Sequence, residues 1–239
     1  MKSCAIVQSN YIPWKGYFDL INTVDEFVLF DCVQYTRRDW RNRNKIKTSK
    51  DVAWLTIPVQ SKGNYEAPID TILVDGKEWA ERHWQTIVHN YAKAPCFNQY
   101  ANKLQQCYES LGELPRLSQV NATLLRQICE FLKITTRISD SRLYEIADEK
   151  TERLLSICKQ VGADTYYSGP AAKGYFDMGR AAANNMDVRW MSYADYPEYP
   201  QLFPPFIHSV SIVDLLFNVG SDAHLYMNSF KNQTPSTST

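Results

Sequence analysis

The chain has 239 residues, 44% hydrophobic and 22% charged, which is enough to bury one substantial core and ordinary for a globular protein. Lysine plus arginine equals aspartate plus glutamate at 26 each, so no net field draws the whole chain onto nucleic acid or a membrane surface. No apolar run approaches the roughly 18 residues of a bilayer span, and the six cysteines form neither a CxxC pair nor a zinc spacing.

Residues 4–8 form a short apolar run ending in Gln8, which reads as a buried strand. A polar turn with Asn10, Tyr11 and Pro13 follows. Trp14, Tyr17, Phe18 and Ile21 then recur at helical spacing behind Pro13. Residues 26–30, EFVLF, are a second strand running into Asp31. Next comes TRRDWRNRNKIK, residues 36–47, where six cations face Asp39 alone and leave the rest of the chain net acidic. Strand, turn, helix, strand and charged loop make a βαβ unit, in which ligands collect beyond the carboxyl ends of the strands. That rule nominates Gln8, Asn10, Tyr11, Asp31, Gln34, Tyr35 and the basic loop.

Residues 52–59, VAWLTIPV, predict a third strand whose Pro58 marks an end or an edge. A loop over 61–68 carries a Gly63-Asn64 turn signal, and 69–74 predict a further short strand before Asp75-Gly76. The middle third changes period. Residues 77–91 place Trp79, His83, Trp84, Ile87 and Tyr91 on one helical face, and 97–111 and 117–132 are helical too. This predicts a helical insertion at about 77–132. Alternation then resumes: strand 134–138, helix 149–161 ended by Gly162, strand 164–167 running into Ser168-Gly169-Pro170, helix 175–184 and strand 188–191. A loop rich in proline and aromatics spans 193–206, and 210–219 form a closing helix. The expected fold is a single α/β domain over 1–230 with a mostly parallel sheet, Rossmann-like or nucleotidyltransferase-like, followed by a disordered tail at 231–239. With no signal-peptide pattern at the start, the expected setting is reduced and cytoplasmic.

Within the basic loop, arginines such as Arg38, Arg41 and Arg43 suit a bidentate grip on phosphate or carboxylate, and Asn42 and Asn44 add orienting hydrogen bonds. Trp40 could pin the loop to the body, in which case the segment is simply a solvated surface. The first turn shares its layout with the nucleotide-binding loop of adenylyl- and cytidylyltransferases, although Lys15-Gly16-Tyr17 lacks their histidine. A helix N-terminus there still favours a phosphate or carboxylate. Ser168 and Gly169 allow a ligand close to backbone N–H groups, and Lys173 could neutralise an anion. Asp31 is the carboxylate best placed to act as a base or to orient a group, with partnership to Arg38 or Arg41 as the plainer reading. His83 is a second candidate base on a face that also reads as core. Cys32 is a weak candidate nucleophile, and no histidine or cysteine spacing points to a metal. The rings of Tyr193, Tyr196, Tyr199, Phe203 and Phe206 suit sugar faces or the sealing of a core edge.

The motifs QSNYIPWKGYFDLI, FDCVQYTRRDWRNRNKIK, WLTIPV, HNYAKAPCF, YYSGPAAKGYFD and SIVDLLFNVG resemble the WbqC-like family, whose members occur in bacterial O-antigen and other surface-polysaccharide gene clusters. The resemblance reaches about Gly220. It implies an enzyme that decorates sugars by acyl or aminoacyl transfer to the amine of a nucleotide-linked amino sugar. Tyr11, Lys15, Asp31, Gln34, Arg41, Asn42, Arg43 and Asn44 would then line the site, with Asp31 or His83 taking the proton. The implied donor is acyl-CoA, a carrier-protein thioester or an ATP-derived adenylate, so an acyl carrier protein is an expected partner and nucleic acid is not. The family pattern has a second acid after Asp31, where this chain has Cys32. Two other readings stand beside this one: an adenylate-forming ligase or nucleotidyltransferase, and a non-catalytic protein that binds a carrier or RNA.

Overall fold

The computed structural model describes residues 1–63 and 66–231. In chain order the strands are β1 (Ser3–Val7), β2 (Glu26–Leu29), β3 (Arg43–Lys47), β4 (Val52–Thr56), β5 (Arg137–Asp140), β6 (Thr165–Ser168) and β7 (Asp187–Trp190). Five of them form one sheet in the order β5-β2-β1-β6-β7, every neighbouring pair parallel. The sheet grows from β1 through β2 to β5 over residues 3–140 and then from β6 to β7 on the other side of β1. The winding therefore reverses between β1 and β6, as in doubly wound, Rossmann-like sheets.

Period-two alternation divides the core between the two faces of this sheet. On one face Ala5 joins Tyr17, Phe18 and Leu20 of α1 (Lys15–Thr23). On the other, Cys4 and Ile6 of β1 join Leu154, Leu155 and Cys158. Because both faces are covered, β2 is buried along its whole length, as a central parallel strand should be.

Between β4 and β5 lie three helices, α2 (Glu78–Tyr91), α3 (Phe97–Leu111) and α4 (Leu117–Leu132). This is the helical insertion of the middle third, and α4 returns the chain to the sheet. The second half supplies α5 (Lys150–Val161), α6 (Met178–Ala183) and α7 (Ile212–Val219), the last packing on α3 and β3. No helix among the described residues is long and apolar enough to cross a membrane.

Three local expectations change. The strand predicted at 69–74 is instead a 3-10 turn, Ile69–Thr71, because both the backbone N–H and the hydroxyl of Thr71 donate to the Pro68 carbonyl, at 3.0 and 2.8 Å. The second half of the basic loop is the strand β3. Its alternation buries Asn44 and Ile46 and leaves Arg43 and Lys45 half-buried, a period of two concealed by its charge. The strand predicted at 52–59 pairs antiparallel with β3 in this separate hairpin, outside the main sheet. Asn64 of the predicted turn and residues 232–239 of the predicted tail lie outside the described residues.

Candidate functional site

Where the winding reverses, the tips of β1 and β6 part and leave a crevice of about 450 Å³. Ile6, Phe30, Leu154 and Tyr166 give it an apolar floor, while Gln8, Gln34, Ser168 and Gly169 supply polar groups at the strand ends. Opposite them stand Lys150 and Arg153 from the first turn of α5. That helix connects β5 to β6 and runs back against the strands, so its positive N-terminal end faces the carboxyl edge of the sheet. Arg153 spends two of its donors on the carbonyls of Ala147 and Asp148, at 3.1 and 2.8 Å. A guanidinium carries five, so the others are available for an anion. Lys150 is exposed.

Beside the crevice, the turn after β1 is sewn to the tip of the basic loop. Arg41 donates through one guanidinium nitrogen to Gln8 Oε1 at 2.8 Å and through the other to Asn10 Oδ1. Asn121 of α4 donates to Ser9 Oγ at 3.0 Å and to the Arg41 carbonyl at 2.9 Å, and the Tyr11 N–H donates to the Trp40 carbonyl at 3.0 Å. Asp31 Oδ1 accepts the Ser9 N–H at 2.8 Å, and Asp31 is only 3% exposed. Burial raises its carboxyl above the usual range against the Ser9 hydrogen bonds, and nearby Asp140 adds to the rise. Asp31 is not among the residues lining the crevice; it holds the turn that carries Gln8.

Most other candidates are spent on the fold, and Arg38 and Lys173 are exposed away from the crevice lining. Asn42 donates to the Ile57 carbonyl at 2.8 Å, and Asn44 donates to the carbonyls of Tyr11 and Ile12 at 3.1 and 3.0 Å, clamping the hairpin to the first turn. Arg43 donates to the Arg38 carbonyl at 2.6 Å and lies 4.3 Å from the Trp54 ring. Arg38 is exposed with φ 57°, and Tyr35 is buried, its N–H bonded to the Ala67 carbonyl. Lys173 is exposed, 5.9 Å from the Trp190 ring. Lys15 is buried under Tyr196 and Tyr199, donates to the Pro197 carbonyl at 3.0 Å, and is pushed by burial down to about 8. The Tyr11 hydroxyl sits between His83 Nδ1 at 2.8 Å and the Tyr108 hydroxyl at 2.7 Å. Burial pushes His83 down to about 4, so its imidazole is neutral at physiological pH. The structure thus brings Gln8, Gln34, Ser168 and Gly169 to the crevice and sets Arg41 against Gln8, but keeps Tyr11, Lys15 and His83 inside the protein.

Burial also raises the Cys32 thiol, with Asp70 adding to the rise, which disfavours a thiolate there. Among the described residues no group of three or more His, Cys, Asp or Glu could hold a metal ion. Sequence reasoning missed Lys150 and Arg153. The local sequence carried little signal, because Glu149 and Glu152 beside them complement the helix dipole and offset the two cations.

Sheet order and crevice together define a doubly wound α/β protein with an open crevice at the strand tips. The chain belongs to the WbqC-like protein family, whose model matches residues 8–226. It is 48% identical over 227 residues to the uncharacterized protein Rv1507c of Mycobacterium tuberculosis, an alignment covering 95% of this chain and 98% of that one. No solved structure matches the chain.

Proposed function

We propose that the protein is a sugar-modifying transferase of surface-polysaccharide biosynthesis, which binds a nucleotide-linked amino sugar and transfers an acyl or aminoacyl group to its amine. The observation that carries this reading is the switch-point crevice, apolar in its floor and faced by the first turn of α5. An apolar floor accepts a base, and a helix N-terminus with Lys150 and Arg153 accepts the diphosphate. The NH₂ group of Gln8 and the Ser168 hydroxyl offer orienting hydrogen bonds.

In this reading the amine attacks the carbonyl carbon of a thioester donor. The C–N bond forms, the C–S bond breaks, and the proton of the amine ends on the departing sulfur. Arg41, bonded to Gln8 beside the crevice and facing Asp39 at 3.7 Å, is the cation this reading assigns to the developing oxyanion. Asp31 is assigned a positioning part, through the Ser9 amide and the turn that carries Gln8.

Calorimetric titration with UDP-glucosamine, UDP and ATP with magnesium tests the reading. UDP and its sugar conjugate are expected to bind, and Lys150→Glu with Arg153→Gln to weaken both by at least about tenfold, roughly 1.4 kcal/mol. Stabilisation by ATP with magnesium alone would overturn it in favour of adenylate-forming chemistry, and no response to any nucleotide would remove its basis.

A further inference from the structure

A second cavity, of about 240 Å³, lies on the other side of the same turn, lined by Asn10, Pro13, Trp14, Trp40, Asn44 and Ser209. We propose that this pocket is the subsite for the pyranose ring of the ligand whose nucleotide occupies the switch-point crevice. The proposal rests on the nucleotide-sugar reading above and adds where the sugar goes and what recognises it.

The first support is connectivity. Arg41 bonds Gln8, which lines the larger cavity, and Asn10, which lines the smaller, so a single guanidinium separates the two. A ligand with an anionic middle and a neutral end could pass over that cation and have both ends held.

The second is that the aromatic walls are built. A Cβ at position 16 would fall 2.4 Å from a carbon of the Trp14 indole, so α1 forgoes a side chain in its first turn where that ring lies. Tyr193 and Tyr196 then meet Trp14 edge-on, with centroids at 5.3 and 5.6 Å. Opposite, Trp40 stacks on Trp54 at 5.7 Å with 26° between the planes, yet stays 41% exposed. Two indoles and a proline ring therefore line a recess whose Trp40 wall remains open to solvent.

The third is the distribution of hydrogen-bonding capacity. Asn44 is fully engaged with backbone groups of Tyr11, Ile12 and Lys45. Asn10 is not: its carbonyl oxygen accepts from Arg41, while its NH₂ group has no partner among the described residues. Ser209 accepts from Lys45 Nζ at 3.1 Å at the rim and keeps its own O–H to donate. Flat apolar walls with polar groups at their edges match a pyranose, which has C–H faces and a hydroxyl rim. A hydrocarbon acyl chain would gain nothing from the asparagine or the serine.

The test compares the affinity of UDP-glucosamine with that of UDP, in wild type and in Trp40→Ala. The half-exposed position makes that variant safe for folding. Wild type is expected to bind the conjugate about tenfold tighter than UDP, and Trp40→Ala to reduce that preference to about twofold while leaving UDP affinity unchanged. Gly16→Ala, which displaces Trp14, should act in the same direction. Equal affinity for conjugate and UDP in wild type, or an undiminished preference in Trp40→Ala, overturns the subsite. Saturation-transfer NMR with free glucosamine separates this from failure of the function itself. If UDP does not bind at all, transfer from the protein to glucosamine that disappears in Trp40→Ala still upholds the pocket, and its absence in wild type rejects it.

Discussion

Polar side chains serve opposite ends in the buried networks of this protein and at its strand tips. Around Asp214 in α7, the hydroxyls of Tyr91 and Tyr199 and the amide of Gln201 donate to one buried carboxylate at 2.7, 2.7 and 2.9 Å. Around Tyr11, the side chains of His83 and Tyr108 close on one hydroxyl. At the strand tips, Lys150, Arg153 and Ser168 line an open crevice and keep donors directed at solvent or a ligand. Polarity alone does not separate these regions. What separates them is whether hydrogen-bonding capacity has already been used, since a buried polar group must be satisfied within the fold and an exposed one can wait for a ligand.

The largest effect should come from emptying a spent network. Asp214→Ala leaves the two buried hydroxyls of Tyr91 and Tyr199 without their acceptor, while Gln201 keeps the Ile207 carbonyl, and is expected to cost about 3 kcal/mol or more in urea unfolding, with UDP affinity of the folded fraction unchanged. A loss of UDP affinity in the folded protein would show that the buried network also serves the crevice. Next comes the acid response of His83. Its folded value of about 4 lies below the usual 6.5, so the neutral ring is the form the fold favours. The stability this contributes is full above 6.5 and is lost as pH falls toward 4. His83→Gln should therefore lose less stability than wild type between pH 7 and 4.5, by up to about 2 to 3 kcal/mol. Parallel denaturation curves at the two pH values check this.

Asp31 should give the smallest change and sharpens the boundary between the regions. Its folded carboxyl is raised, so the charged form is penalised above that range and the penalty vanishes at low pH, below about 4. Asp31→Asn keeps an acceptor for the Ser9 N–H. It should raise stability at pH 7 by no more than about 1 kcal/mol, with the gain disappearing near pH 3. Thermal melts at both pH values measure it, and a large loss at pH 7 would show that the charge itself holds the turn against Arg41.

Much of the fold was legible in the chain. The apolar runs before Gln8 and Asp31 became β1 and β2, and the switch from period two to period 3.6 marked the helices of the insertion. Placing ligand chemistry beyond the strand ends directed attention to Gln8, Gln34, Ser168 and Gly169, which line one cavity. The hairpin strand β3 was hidden because its outward positions carry Arg43 and Lys45, so charge masked the alternation. Tyr11 and His83 looked like site residues because nothing in a linear pattern says that a histidine 72 positions away will close on a tyrosine hydroxyl.

Local order of apolar and polar residues, together with turn residues, determined the strands, the helices and their parallel arrangement, because these follow from short-range periodicity and chain connectivity. Family membership too was carried by contiguous motifs. Only the tertiary structure decided which polar side chains remain available. That property depends on partners from distant segments: α5 across from Gln8, Asn121 beneath Ser9, Gly16 making room for Trp14. A side chain's chemistry is set by what it already touches, and contacts of that range are made by packing.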